Sequence, residues 1–140
     1  MYKFIFSNKT SHTDLGLFVI RAGIGLTMMI FHGLPKIRGG PELWAKIGTD
    51  MSVVGINFLP VFWGFMAGFA EFFCSLLLII GILFRPAAFL LVLTMIIAIL
   101  KHLNIPEGSP GAGWIGASHA LELLIIYVAL ILTGPGKYKV

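Results

Sequence analysis

The stretch from Phe58 to Phe84 is a long apolar run that carries one charged residue, Glu71, close to its middle. About 20 apolar residues suffice to cross the roughly 30 Å hydrocarbon core of a bilayer, so this run predicts a membrane-spanning helix. An ionised carboxylate at the bilayer centre costs about 3 kcal/mol or more, and such residues therefore face protein or water. Glu71 is the first candidate functional residue.

The composition extends this prediction to the whole chain. Of its 140 residues, 58% are hydrophobic and 11% are charged, against about 45–50% and about 25% in soluble domains. We therefore expect an all-α integral membrane protein, formed by a single domain over residues 1–140. Short connections between the spans predict an antiparallel four-helix bundle. The four predicted spans cover residues of about 15–34, 59–84, 87–102 and 114–133.

Charge and cysteine content exclude several function classes. The net charge is +4, but the ten Lys and Arg residues are scattered over termini and loops instead of forming a patch. This distribution favours anionic lipid headgroups over nucleic acid as the partner. Cys74 is the only cysteine, which excludes an intramolecular disulfide, a CxxC redox pair and a thiolate zinc site. Any redox role requires a bound cofactor or a partner protein.

The segment from Pro41 to Leu59 has two interpretations. Its Trp44, its mixed charges and its apolar spacing predict a short helix in the membrane interface between spans one and two. A plain linker is the alternative. Four spans place both termini on one side of the membrane. That side has five Lys and Arg residues against four on the other, which predicts cytoplasmic termini under the positive-inside rule.

Polar residues fall on one face of three of the spans. In the first span they lie along a helical stripe, and Pro35 together with Gly39-Gly40-Pro41 is expected to end that helix. The stripe contains Arg21, Gly25, Met28, His32 and Lys36. In the second span the small and polar face contains Gly64, Ala67, Gly68, Glu71 and Ser75. The fourth span has His119 and Glu122 on one stripe.

Depths estimated from the helical rise of about 1.5 Å per residue predict which of these residues meet. An extended Arg21 side chain can reach Glu71, so we expect an Arg21–Glu71 contact, with Glu122 nearby and joined through water. Further polar residues fall in the half of the bundle away from the termini. They are His32, Lys36, Lys101, His102 and His119. The expected result is a polar interior that opens towards the non-terminal side.

This interior also has two interpretations. Arg21 and Glu71 either form a buried ion pair that only fixes the packing, or they line a pocket for a small polar or quinone-like headgroup. In the second case Arg21 is the electrostatic donor, and Glu71, His119 or Glu122 handle protons. Metal sites fit less well. The His119-x-x-Glu122 spacing resembles half of a di-iron pattern that needs about four carboxylates, and a haem requires His32 with His102 or His119.

Several short motifs together resemble the DoxX family. They are Arg21 with Gly25, His32-Gly33-x-Pro35-Lys36, Gly39-Gly40-Pro41 with Trp44, FWGFMAGFAEFF around Glu71, Gly81 through Arg85-Pro86-Ala87-Ala88, and SHALELL around Glu122. The resemblance implies a four-helix bacterial inner-membrane protein similar to membrane subunits of quinone-linked oxidoreductases such as thiosulfate:quinone oxidoreductase. It also implies a polar core of Arg21, Lys36, Glu71, Arg85 and Glu122.

The expected function is that of a membrane component of a quinone-linked or other redox system, which binds a small ligand in a polar intramembrane pocket. The predicted ligand-binding residues are Arg21, His32, Lys36, Glu71, Arg85, His102, His119 and Glu122. No cofactor motif is present, a quinone is a possible ligand, and the expected partners are lipid and either further copies of the chain or a redox protein. The alternatives are a ligand-free assembly or scaffold protein and, third, a small-solute transporter.

Overall fold

The computed structural model describes residues 12–140, and this part of the chain contains helices and connecting turns but no strand. Its four long helices are α1 (Thr13–Arg38), α3 (Pro60–Ile80), α4 (Phe84–Asn104) and α5 (Gly113–Thr133), each long and apolar enough to cross a membrane. A shorter helix, α2 (Gly40–Gly48), and a 3₁₀ turn, Thr49–Val54, lie between α1 and α3. The prediction of an all-helical protein with four spans is confirmed. Lys3 and Lys9, which enter the charge count, lie outside the described residues.

The first helix passes through Pro35 and ends at Arg38, directly before Gly39-Gly40-Pro41, so it is about four residues longer than the predicted span. A regular α-helix cannot accommodate an internal proline easily, because the ring clashes with the carbonyl group one turn back and the N–H is missing. Here a π-helical turn, Met28–Gly33, comes immediately before Pro35. This wider turn changes the hydrogen-bond pattern at the point where the proline would disturb it. Lys36 therefore remains on the helix.

The second span is shorter than predicted, because α3 ends at Ile80 and not near Phe84. Gly81 follows it with φ of +82°, a left-handed conformation that glycine adopts without strain and that commonly ends a helix. Phe84 then belongs to α4. The apolar run continues through this break, so hydropathy alone did not reveal it.

Glycines bring α1 and α3 close together. The missing side chain of Gly25 leaves room for Ile79, and that of Gly33 leaves room for the backbone of Phe72. On α3, Gly68 lies against Lys36 of α1. Small residues at such positions let two helix backbones approach, which is how membrane helices gain packing contacts.

Helix α2 packs on the first half of α3. Gly64 lies against the backbone of Trp44, and Gly48 lies against the backbone of Pro60. The Trp44 ring meets Phe65 edge to face, with 5.1 Å between ring centroids. The segment between the first two spans is therefore not a plain linker. Its location in the membrane interface stays a prediction.

The core lies between α3, α4 and α5, where Leu78, Leu91, Ala117 and Tyr127 are buried completely. Large apolar side chains also cover the outside of the protein. Phe31, Phe89, Ile115, Ile125 and Leu132 are all more than half exposed. On a chain with four membrane-spanning helices this surface is suited to contact lipid hydrocarbon.

Candidate ligand-binding site

Two π-helical turns face each other in the interior. Met28–Gly33 in α1 packs against Ala70–Cys74 in α3. Each of these turns contains a polar residue that the sequence singled out, His32 in the first and Glu71 in the second. Single π-helical turns inside α-helices occur frequently at functional sites, since they change the direction in which side chains point. The candidate site begins at these two π-helical turns.

Glu71 forms an ion pair with Lys36. The Lys36 Nζ atom lies 2.6 Å from each carboxylate oxygen and donates a hydrogen bond to Oε1. The Glu71 side chain is 5% exposed and that of Lys36 is 27% exposed, so the pair lies at the boundary between the packed interior and an open space. Both carboxylate oxygens therefore contact the ammonium group, and the carboxylate keeps lone pairs with which it can accept a further hydrogen bond.

The predicted Arg21–Glu71 contact is wrong. All three Arg21 side-chain nitrogens lack a hydrogen-bond partner among residues 12–140, whereas Glu71 pairs with Lys36. The estimate from helical rise gave the depth of each residue along the bilayer normal but not the direction of its side chain. Lys36 lies on α1 with the rest of the predicted stripe, and it is this residue, and not Arg21, that faces Glu71 of the second span.

The position of Lys36 is fixed by its neighbours. The Trp44 Nε1 group of α2 donates a hydrogen bond of 2.7 Å to the Lys36 carbonyl oxygen. A side chain at Gly68 would place its Cβ atom 3.1 Å from the Lys36 Cβ atom. Glycine at this position leaves Lys36 the space it occupies beside α3. Helices α2 and α3 therefore both help to orient the ammonium group towards Glu71.

Two histidines from different helices stack near this pair. The rings of His32 in α1 and His119 in α5 have centroids 5.7 Å apart and an interplanar angle of 27°. A third histidine, His102 of α4, has its Nδ1 atom 2.6 Å from the carbonyl oxygen of Gly111. This contact ties the end of α4 to the loop that precedes α5.

These polar groups line one cavity of about 690 Å³, a size typical of small-molecule sites. Lys36, Glu71, His32, His102 and His119 all contribute to its wall. Lys101 and Asp50 line it too and form a second ion pair, with 2.7 Å between Nζ and Oδ2. The rest of the lining is largely apolar and includes Met28, Val54, Met66, Leu93, Ile97 and Leu123. The cavity thus suits a ligand with an apolar body and a small polar group.

The other three residues of the predicted site do not line this cavity. Arg21 is completely buried, with its guanidinium carbon 5.4 Å from the Phe18 ring centroid and 5.9 Å from that of Phe84. Arg85 is exposed and donates a hydrogen bond of 3.2 Å from Nε to the Ile131 carbonyl oxygen. Glu122 lies on the exposed face of α5.

Sequence reasoning missed some polar groups of the interior. Asp50 was not singled out, although an acidic residue that follows a short helix could have been matched to Lys101 at the same end of the bundle. Tyr127 was not singled out either, yet its buried hydroxyl group has no hydrogen-bond partner among the described residues. A tyrosine in the middle of an apolar span is the signal that could have identified it, because its hydroxyl group usually requires a partner.

Within residues 12–140, no three His, Cys, Asp or Glu side chains lie close enough together to hold a metal ion. The single cysteine, Cys74, is buried and unpaired.

A comparison with protein-family models matches residues 16–103 to the DoxX family. The chain belongs to the DoxX family. The resemblance seen in the motifs is thereby confirmed, and the matched part of this DoxX protein contains Arg21, His32, Lys36, Glu71, Arg85 and His102. His119 and Glu122 lie in α5, beyond the matched residues. No curated protein and no solved structure matches the chain.

Proposed function

We propose that this DoxX protein binds a small ligand with a polar head and an apolar body in the cavity between its helices, as the membrane component of a redox system. A quinone is the ligand class that fits best. The observation that supports this most strongly is the combination of a largely apolar wall with a Lys–Glu pair and stacked histidines in one place. Apolar pockets with few convergent polar groups are the usual form of small-molecule sites.

The polar groups match the chemistry of a quinone head. A quinone carbonyl oxygen accepts hydrogen bonds, and the Lys36 ammonium group and the ring nitrogens of His32 or His119 can donate them. A quinol hydroxyl group donates a hydrogen bond, and the Glu71 carboxylate at the cavity wall can accept it. Glu71 and the histidines can also hold protons beside the head group. The electrons would come from a partner redox protein or a bound cofactor.

The proposal includes the arrangement of the chain in the membrane. The contacts between α1 and α3 run in opposite order, with Gly25 beside Ile79, Gly33 beside Phe72 and Lys36 beside Gly68, which supports an antiparallel bundle. We further propose a single domain in a bacterial inner membrane, with α2 in the interface and cytoplasmic termini. The balance of Lys and Arg residues supports this orientation.

The test is a binding titration of the purified protein with a short-chain quinone. Trp63 lines the cavity, so quenching of tryptophan fluorescence can report occupancy. With the reduced, quinol form of the same compound, Glu71→Gln should weaken binding by about tenfold or more, because the hydrogen bond from the quinol hydroxyl group to a charged acceptor is lost. Glu122→Gln is the matched control, a carboxylate of another span that is exposed and outside the cavity, and it should leave binding unchanged. Equal binding by wild type and both variants would refute the proposed site.

The ligand-free scaffold remains the second candidate, because Lys36 and Glu71 already balance each other's charge. The double variant Lys36→Met/Glu71→Met distinguishes the two functions. If the protein is a scaffold, the double variant should be as stable as the wild type and should still co-purify with its partner protein. A redox component should keep its stability but lose quinone binding and any activity that depends on it.

A further inference from the structure

Arg21 is a cation whose charge is not balanced by any contact in the described part of the chain. Its side chain is completely buried, and none of its three nitrogens has a hydrogen-bond partner within residues 12–140. Phe18 and Phe84 lie against the guanidinium group and provide cation–π contacts but no hydrogen-bond acceptors in the guanidinium plane. A buried guanidinium group is costly unless an acceptor satisfies its donors.

The acidic residues of the chain do not supply this acceptor. There are six of them, and three are paired with lysines: Asp14 with Lys137, Glu71 with Lys36 and Asp50 with Lys101. The other three, Glu42, Glu107 and Glu122, are exposed. Residues 1–11 contain no acidic residue. None of the six acidic side chains therefore balances the charge of Arg21.

A second basic residue begins close to Arg21. A Cβ atom on Gly81 would lie 2.6 Å from Arg21 Nη1 and 2.7 Å from the Cβ atom of Lys139. Arg21 and the base of the Lys139 side chain thus meet at the turn between α3 and α4, where glycine leaves space for both. The flexible Lys139 side chain is exposed and can bring its ammonium group to an anion that the guanidinium group holds.

The last residues of the chain lie over this position. The Val140 N–H group donates a hydrogen bond of 3.1 Å to the Ile80 carbonyl oxygen. The Tyr138 ring lies 5.9 Å from that of Phe18, and the backbone N–H of Lys137 donates a hydrogen bond of 3.1 Å to Asp14. Residues 137–140 therefore form a strap across the turn at Gly81, and this strap covers the Arg21 side chain.

We propose that Arg21 and Lys139 bind the phosphate group of an anionic ligand beneath this strap. A guanidinium group matches phosphate because it offers a planar pair of N–H donors, and a lysine adds a mobile charge. A lipid headgroup that enters between the helices at this end of the bundle could supply the phosphate group. The same chemistry also fits a free phosphate ion.

The experiment measures thermal unfolding of the full chain in a neutral detergent. Two pairs of additives distinguish a lipid phosphate from a free phosphate ion. The first pair is phosphatidylglycerol and diacylglycerol with the same acyl chains. The second pair is inorganic phosphate and chloride at equal ionic strength. We expect phosphatidylglycerol to raise Tm by about 5 °C over diacylglycerol, which identifies a lipid headgroup. An equal rise with inorganic phosphate identifies a free phosphate site. No rise with either anion overturns the proposal.

Variants assign the effect to the site. Arg21→Gln should abolish the rise in Tm, and Arg85→Gln, at an exposed arginine that follows the same turn, should keep it. A rise that survives Arg21→Gln, or that both variants lose, overturns the proposal in favour of general surface charge. If Arg21→Gln does not fold, Lys139→Gln is measured in its place, and we expect it to lose part of the rise in Tm. Its control is Lys46→Gln, at an exposed lysine of α2. Glu71→Gln should leave the rise unchanged, which separates this site from the quinone cavity.

Discussion

Helix α1 carries three Lys and Arg residues, and two of them, Lys36 and Arg21, differ in how their charges are balanced. Lys36 meets a carboxylate of the neighbouring helix at 2.6 Å and lies at the wall of a cavity. Arg21 is buried more deeply, between two aromatic rings, and has no acceptor within residues 12–140. The comparison shows that one helix positions two separate polar regions. One is complete within the chain and open to a ligand, and the other needs an anion to become complete.

The largest expected difference between the two regions concerns stability without added anions. Lys36→Met should lower the free energy of unfolding by about 2–3 kcal/mol, because it leaves the buried Glu71 without its partner. Arg21→Met should lower it by less than about 1 kcal/mol, because the removed charge had no acceptor and methionine still fills the space between the rings. Unfolding by SDS titration in neutral detergent measures both. A larger loss of unfolding free energy for Arg21→Met than for Lys36→Met would contradict this difference between the two regions.

A smaller effect is expected where the two π-helical turns pack together. Gly33→Ala places a Cβ atom against the backbone of Phe72, which cannot move aside as a side chain can, so we expect a loss of about 1–3 kcal/mol. Gly23→Ala, in the same helix, meets no atom within 4 Å and should cause no loss, since alanine favours the helix. The same titration measures both variants. Similar values for the two would mean that the close approach at Gly33 does not stabilise the site.

The sequence was sufficient for the four spans because the burial of apolar residues in a bilayer depends on length and hydropathy and not on which helix packs against which. It also identified Lys36, Glu71 and the histidines as members of a polar interior. It could not predict the π-helical turn that carries the helix through Pro35, since this turn depends on contacts with α3.

The pairing of charges could not be predicted for a different reason. The rise per residue gives the depth of Arg21 and Glu71, but a contact also requires that both side chains point towards each other. That rotation is set by glycines such as Gly25 and Gly33, whose facing partners Ile79 and Phe72 lie on another helix. A sequence pattern shows which residues share a face and leaves open which helix that face meets.

The most direct test of the account is a pair of double-mutant cycles that share Glu71. Free energies of unfolding are measured for Lys36→Met, Arg21→Met and Glu71→Gln, and for the two double variants with Glu71→Gln. The structure predicts a coupling energy of about 1–3 kcal/mol between Lys36 and Glu71 and less than about 0.5 kcal/mol between Arg21 and Glu71. A strong coupling of Arg21 with Glu71 and none with Lys36 would contradict the division into two polar regions.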